Sequence, residues 1–191
     1  MRVASDLLKT NYLPMNNSME GEIINRVANS SLITIDLEDY YTQGERVVFD
    51  LKDLLFQGMI LREKDLRDFV KSHNWLQYKG KLIAIQCSAE AIVPTWAYML
   101  VASKLADVAK KVVYGSLEQL EQELFSEALQ RINPEEYKDG KIVIKGCSKY
   151  PVPTYAYVEI TRKLLPYVHS IMYGEPCSNV PIYKKLKNPN N

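Results

Sequence analysis

Lys81-Leu-Ile-Ala-Ile-Gln-Cys87-Ser88, continuing to Pro94-Thr95-Trp96-Ala97-Tyr98, recurs further along the chain as Lys141-Ile-Val-Ile-Lys-Gly-Cys147-Ser148 and Pro153-Thr154-Tyr155-Ala156-Tyr157. Cys147 follows Cys87 by 60 positions and Pro153 follows Pro94 by 59. Each copy reads as an apolar strand, a Cys-Ser turn and a helix opening near a proline, which places two thiols beside helix N-termini. A third Cys-Ser pair, Cys177-Ser178, follows the short apolar run that ends at Tyr173.

Working outward, the pattern alternates regularly. A strand through Gln86 leads to a helix from about Pro94 to Lys110, a strand at Val112 to Tyr114 and a helix from Leu117 to Ile132. The second copy supplies a strand through Lys145, a helix from about Pro153 to Pro166 and a strand at Ser170 to Tyr173. Ser116 with Gln119 three residues later is the signature of a capping box, and Leu117, Leu120, Leu124, Ala128 and Leu129 form an apolar stripe behind it. Upstream, β-branched residues predict strands over Ser31 to Tyr40 and Glu45 to Asp50, and helical spacing of Leu66, Phe69 and Val70 predicts a helix over Lys64 to Ser72. Strands alternating with helices imply right-handed crossovers. The expected fold is therefore a single α/β domain, with a mostly parallel sheet and flanking helices built from a duplicated strand-turn-helix unit, repeated at about 78–115 and 137–174.

The 191 residues, 47% of them hydrophobic and 25% charged, suit one soluble domain that buries about 70% of its unfolded surface. A net charge of +1 argues against a nucleic-acid partner. Ala91 to Ser103 is too short to cross a bilayer and is broken by Pro94, and the start shows no signal peptide. Three widely spaced cysteines do not suggest a secreted disulfide framework, so the expected compartment is the cytoplasm. Residues 1–18 read as a disordered extension, with Met19 an alternative start, 19–183 as the domain and 184–191 as a tail.

In open α/β sheets, sites lie beyond the carboxyl ends of the strands, where Cys87, Cys147 and Cys177 are expected to fall. Helix N-termini lower thiol pKa values and favour metal ligation. Three thiolates suit zinc with one further ligand, or an iron–sulfur cluster with one iron left open. Glu175 is the nearest candidate oxygen ligand. The competing reading makes the cysteines small buried hydrophobes in a non-catalytic interaction module. A thiolate enzyme is a third reading, disfavoured because the only histidines, His73 and His169, do not resemble triad bases. Asp36, Glu38 and Asp39 form an acidic cluster that a hard cation would suit, and Trp96 and Tyr155 share one repeat position as core packing residues. Phosphate-binding glycine loops, H-E-x-x-H and G-x-S-x-G patterns are missing, so no catalytic residue and no organic-cofactor residue is assigned.

Met19-Glu-Gly-Glu-Ile-Ile-Asn-Arg-Val-Ala-Asn-Ser, Leu61-Arg62-Glu63-Lys64-Asp65, the stretch from Cys87 to Trp96-Ala-Tyr-Met, and Tyr173-Gly-Glu-Pro-Cys177-Ser resemble the Bacteroidetes family known as domain of unknown function 2480. The resemblance covers about Met19 to Lys184 and transfers no catalytic residue. Genes similar to this one stand beside iron–sulfur assembly genes, so the resemblance implies iron–sulfur assembly proteins as partners.

Overall fold

The computed structural model describes residues 32–146 and 148–186. Cys147, the N-terminal extension with its alternative start at Met19, and tail residues 187–191 lie outside the described residues.

Strand β1 (Leu32–Asp36) is followed by a 3₁₀ turn and β2 (Arg46–Asp50), then by helix α1 (Glu63–Ser72). Strand β3 (Leu82–Gln86), helix α2 (Thr95–Leu105) and β4 (Lys111–Tyr114) form the first crossover, and α3 (Leu117–Gln130) leads out of it. Strand β5 (Lys141–Lys145), α4 (Thr154–Leu164) and β6 (Ser170–Glu175) form the second, and β7 (Ser178–Lys184) returns beside β6.

The fold class is the expected one, α/β with parallel strands and flanking helices, but the strands divide between two sheets. One has the order β1-β5-β6-β7 and the other β2-β3-β4. Among these strands every pairing is parallel except that of β6 with β7. The first two strands part company: β1 joins the sheet of the second crossover and β2 that of the first. Periodicity specifies a crossover connection but not which strands share hydrogen bonds, so the sequence reading left this choice open.

Each sheet is packed by its own helix. Leu82 to Ile85 of β3 and Ile142 to Ile144 of β5 are all buried, as parallel strands covered on both faces should be. Ala97, Val101 and Leu105 of α2 pack on Ile83 and Ile85, while Ala156, Ile160 and Leu164 of α4 pack on Ile142, Ile144 and Ile171. Helix α3 serves both halves. Its Leu120 and Leu124 meet Leu82 and Ala84 on the other face of β3, and its Phe125 and Leu129 join the α4 cluster.

The first strand is shorter than its β-branched run suggests. Asp36 Oδ1 accepts a hydrogen bond from the Glu38 amide at 3.0 Å and turns the chain into the 3₁₀ segment Leu37–Tyr40. Asp50 does the same with the Lys52 amide, also at 3.0 Å, at the end of β2. Such local Asx bonds compete with strand pairing and end it. Glu38 is thus on a turn rather than on a strand face with Asp36.

Strand β7 is not among the strands read from the sequence, and Pro181 sits inside it. Ser170, like Lys111 in the other half, donates its amide inward to the neighbouring strand, so Met172 also turns its backbone toward β5. Pro181 stands opposite Met172, where a missing N–H forfeits no ladder bond, and β7 is an edge strand, where proline is tolerated. Among the described residues, no helix is long and apolar enough to cross a membrane.

Candidate functional site

The elements of the two halves match at a constant spacing of 59: β3 with β5, α2 with α4, and β4 with β6. Both helices follow a proline whose carbonyl accepts the Ala97 or Ala156 amide at 2.9 Å. At this spacing no residue is dropped between the strand end and the helix start. The position matching Cys87 is therefore Gly146, and that matching Cys147 is Ser88, so alignment of the two Cys-Ser pairs is one residue out of the structural register.

Cys87 lies just beyond β3, half-buried against the α1–α2 cluster, and its thiol donates to the Ala89 carbonyl at 3.6 Å. Cys177 is exposed in the β6–β7 turn, on the other sheet. Among the described residues no three His, Cys, Asp or Glu side chains gather to hold a metal.

The strand-end carboxylates have protein partners. Lys145 Nζ lies 3.2 Å from Asp36 Oδ2 and 3.6 Å from Glu175 Oε1, and the bond to Asp36 is the main reason the lysine pKa is raised. Glu38 accepts from the Lys149 amide at 2.8 Å, from the Ser148 amide and from Ser148 Oγ at 3.3 Å, fastening the turn after β1 to the loop after β5. Asp50 accepts from the Ser88 amide at 3.0 Å, fastening the corresponding loop of the other half. Burial pushes the Asp50 carboxyl up, but its bonds from Ser88 and Lys52 outweigh that and hold it below its ordinary value.

His73 caps the end of α1 and sits among aromatic rings. Its ring centroid is 4.4 Å from that of Phe69 and 4.8 Å from that of Trp75, and its Nε2 is 3.2 Å from the Tyr78 hydroxyl. Burial lowers its pKa. The ring is thus packed among its aromatic neighbours. His169 precedes β6 and joins the backbone ladder through its amide, 2.8 Å from the Gly140 carbonyl. Trp96 is partly buried against the α1–α2 cluster, in keeping with a packing role.

An apolar concavity lies elsewhere. A groove of about 670 Å³ runs between α4 and the β6–β7 hairpin, with Ile144, Tyr157, Val158, Thr161, Ile171 and Tyr173 in its lining and Ile182 of β7 beside them. A smaller groove of about 200 Å³ lies on the other sheet, lined by Ile85, Tyr98, Met99, Ala102, Val112 and Tyr114. Each of these six residues stands 59 positions before one of the first six. The rings repeat too: Tyr157 meets Tyr173 edge to face at 5.6 Å and 77°, and Tyr98 meets Tyr114 at 5.1 Å and 88°. The size of the larger groove falls in the range of ligand sites, and its lining is mainly apolar with Thr154, Thr161 and Arg162 at hand. Arg162 is held by Glu159 at 2.6 Å.

Tyr-Gly pairs recur at the matching positions Tyr114-Gly115 and Tyr173-Gly174, and both glycines have positive φ, +124° and +118°. Sequence reasoning missed that the tyrosines before them wall a cavity, which required knowing that each helix packs on the two strands it connects.

The family model described as protein of unknown function (DUF2480) matches residues 21–185, and the chain belongs to that family. No curated protein and no solved structure matches the chain.

Proposed function

We propose that this member of the DUF2480 family is a cytoplasmic, non-catalytic interaction module, built from two copies of one strand-turn-helix unit, that receives apolar side chains of a partner in the groove between α4 and the β6–β7 hairpin. The carrying observation is the groove itself, about 670 Å³ in volume and flanked by exposed Val158, Tyr173, Val180 and Ile182. A contiguous apolar patch of this kind costs solubility unless something covers it. Photo-crosslinking from a benzoylphenylalanine placed at Val158 in growing cells tests the reading. One adduct of discrete mass, lost on Tyr173→Ala and not formed from the same group placed at Lys64, is expected; no adduct from Val158 would sink it.

Zinc or an iron–sulfur cluster on Cys87, Cys147 and Cys177, handled together with iron–sulfur assembly proteins, is a second reading. Its support is the exposure of Cys177 at the hairpin turn, where an incoming metal or thiol can reach it. It requires ligands from both sheets to meet. Anaerobic purification with metal analysis and visible absorption decides it: stoichiometric metal lost on Cys177→Ser is expected, and colourless, metal-free protein would end the idea.

A further inference from the structure

Strands β4 and β6 hold matching places, each third in a parallel trio, yet among the described residues only β6 has a fourth strand beside it. The Lys111 and Gly115 amides donate to the Lys81 and Ile85 carbonyls at 3.4 and 2.8 Å. Alternation then turns the backbone groups of Val112 and Tyr114 outward. Among the described residues, β4 is an edge of its sheet, paired with β3 on one side and with no strand on the other. On β6 the matching residues, Ile171 and Tyr173, pair with Tyr183 and Val180 of β7. Burial records the difference. Ile171 is 0% exposed beside β7, while Val112 stays half-buried, and exposure rises from 48% at Tyr173 to 68% at Tyr114.

We propose that the β4 edge accepts an extended peptide from a partner protein, added antiparallel as β7 is added to β6. The molecule itself displays the chemistry of the occupant. Val180 stands opposite Tyr173, and Pro181 opposite Met172, so the peptide carries an apolar residue opposite Tyr114 and tolerates proline opposite Val113. Charge sets the far end. Lys184 of β7 stands opposite Ser170, but the residue matching Ser170 is Lys111, with Lys110 before it. Lys111 is held by Glu123 and Glu127, whereas the Lys110 ammonium bonds the Gln43 carbonyl and has no carboxylate partner among the described residues. Just past β7 the Lys185 amide meets the carbonyl of His169, the residue matching Lys110, so a carboxylate belongs on the peptide where this chain has Lys185. A second copy of β4 would instead offer Tyr114 and Gly115 to this end, with no carboxylate on the strand. The two lysines also discourage indiscriminate edge pairing. Main-chain bonds would supply affinity, and the small groove beside Tyr114 would supply side-chain selection.

The test is a titration of the full chain, followed by backbone amide NMR shifts, with a synthetic peptide of residues 178–185 carrying the change Lys185→Glu. Saturable shifts at residues 111–116 are expected, with the unaltered lysine peptide binding about two- to fivefold more weakly, as an exposed ion pair allows. N-methylation of the peptide valine opposite Tyr114 should weaken binding roughly fivefold, since strand pairing needs its N–H. Three results would overturn the assignment: no shifts at 111–116, binding indifferent to N-methylation, or the same shifts produced by raising protein concentration alone, which would give the edge to a second copy. The readout is separate from the groove at Val158, so this proposal and the preceding one fail independently.

Discussion

The ring of Tyr157, on α4, meets that of Tyr173, at the end of β6, edge to face with centroids 5.6 Å apart. Tyr98 on α2 and Tyr114 on β4 repeat the contact at 5.1 Å. An edge-to-face pair contributes about 0.5–1.5 kcal/mol beyond its burial. Tyr173 is half-exposed, so Tyr173→Ala is expected to cost only about 1 kcal/mol in urea unfolding, while abolishing the crosslink from Val158. A destabilisation of several kcal/mol would mean that the residue is core rather than groove wall.

The start of α3 depends on Ser116 and Gln119. Gln119 Oε1 accepts the Ser116 amide at 2.8 Å, and Ser116 Oγ accepts the Gln119 amide at 3.4 Å. Ser116→Ala is expected to cost about 1 kcal/mol in chemical denaturation. Gly115→Ala should cost more, because φ is +124° and the new Cβ would fall 2.0 Å from Gln119 Oε1. Adding Gln119→Ala should recover part of that loss, since it removes the clash; strict additivity of the two changes would contradict the geometry.

Glu38 predicts an acid-side dependence. The Lys149 amide bond is the largest influence on its carboxyl, and with the Ser148 bonds it holds the pKa below the ordinary 4.5 against a smaller opposing push from desolvation. A carboxylate with a depressed folded-state pKa adds stability that is present above its unfolded value and lost as pH falls through the folded one. Wild-type stability should therefore drop below about pH 4.5 more steeply than that of Glu38→Gln. Parallel pH profiles from thermal unfolding would refute this role for Glu38.

Arg46 ties β2 to α3. Its Nε lies 2.6 Å and its Nη2 3.2 Å from the two carboxylate oxygens of Glu121, and its guanidinium covers the Tyr41 ring at 4.2 Å. Both side chains are less than a fifth exposed, unlike the solvated pairs along α1. A double-mutant cycle with Arg46→Met and Glu121→Gln is expected to give a coupling of about 1–3 kcal/mol, against about 0.5 kcal/mol for Arg67 with Glu63. Equal couplings at the two pairs would show that burial and bidentate geometry add nothing here.

Local chemistry was legible from the sequence wherever it was decided within a few residues. The capping box at Ser116, the apolar stripe of α3, the buried runs of β3 and β5, and the prolines opening α2 and α4 all depend on neighbours close in the chain. The thiols show the limit of that reading. Matching Cys87 to Cys147 follows the letters, but the hydrogen-bond register matches Cys87 to Gly146, because pairing partners are chosen by backbone geometry across the sheet.

By itself, then, the sequence determined an α/β chain with two matching crossovers, since periodicity and capping are short-range properties. Only the tertiary structure decided that β1 and β2 would enter different sheets, that β7 would line one edge while β4, among the described residues, kept its outer edge open, and that tyrosines at strand ends would wall grooves. The physical reason is range. A strand's face and a helix's stripe are set by residues two to four positions apart, whereas edges and grooves exist only once segments distant in the chain lie side by side.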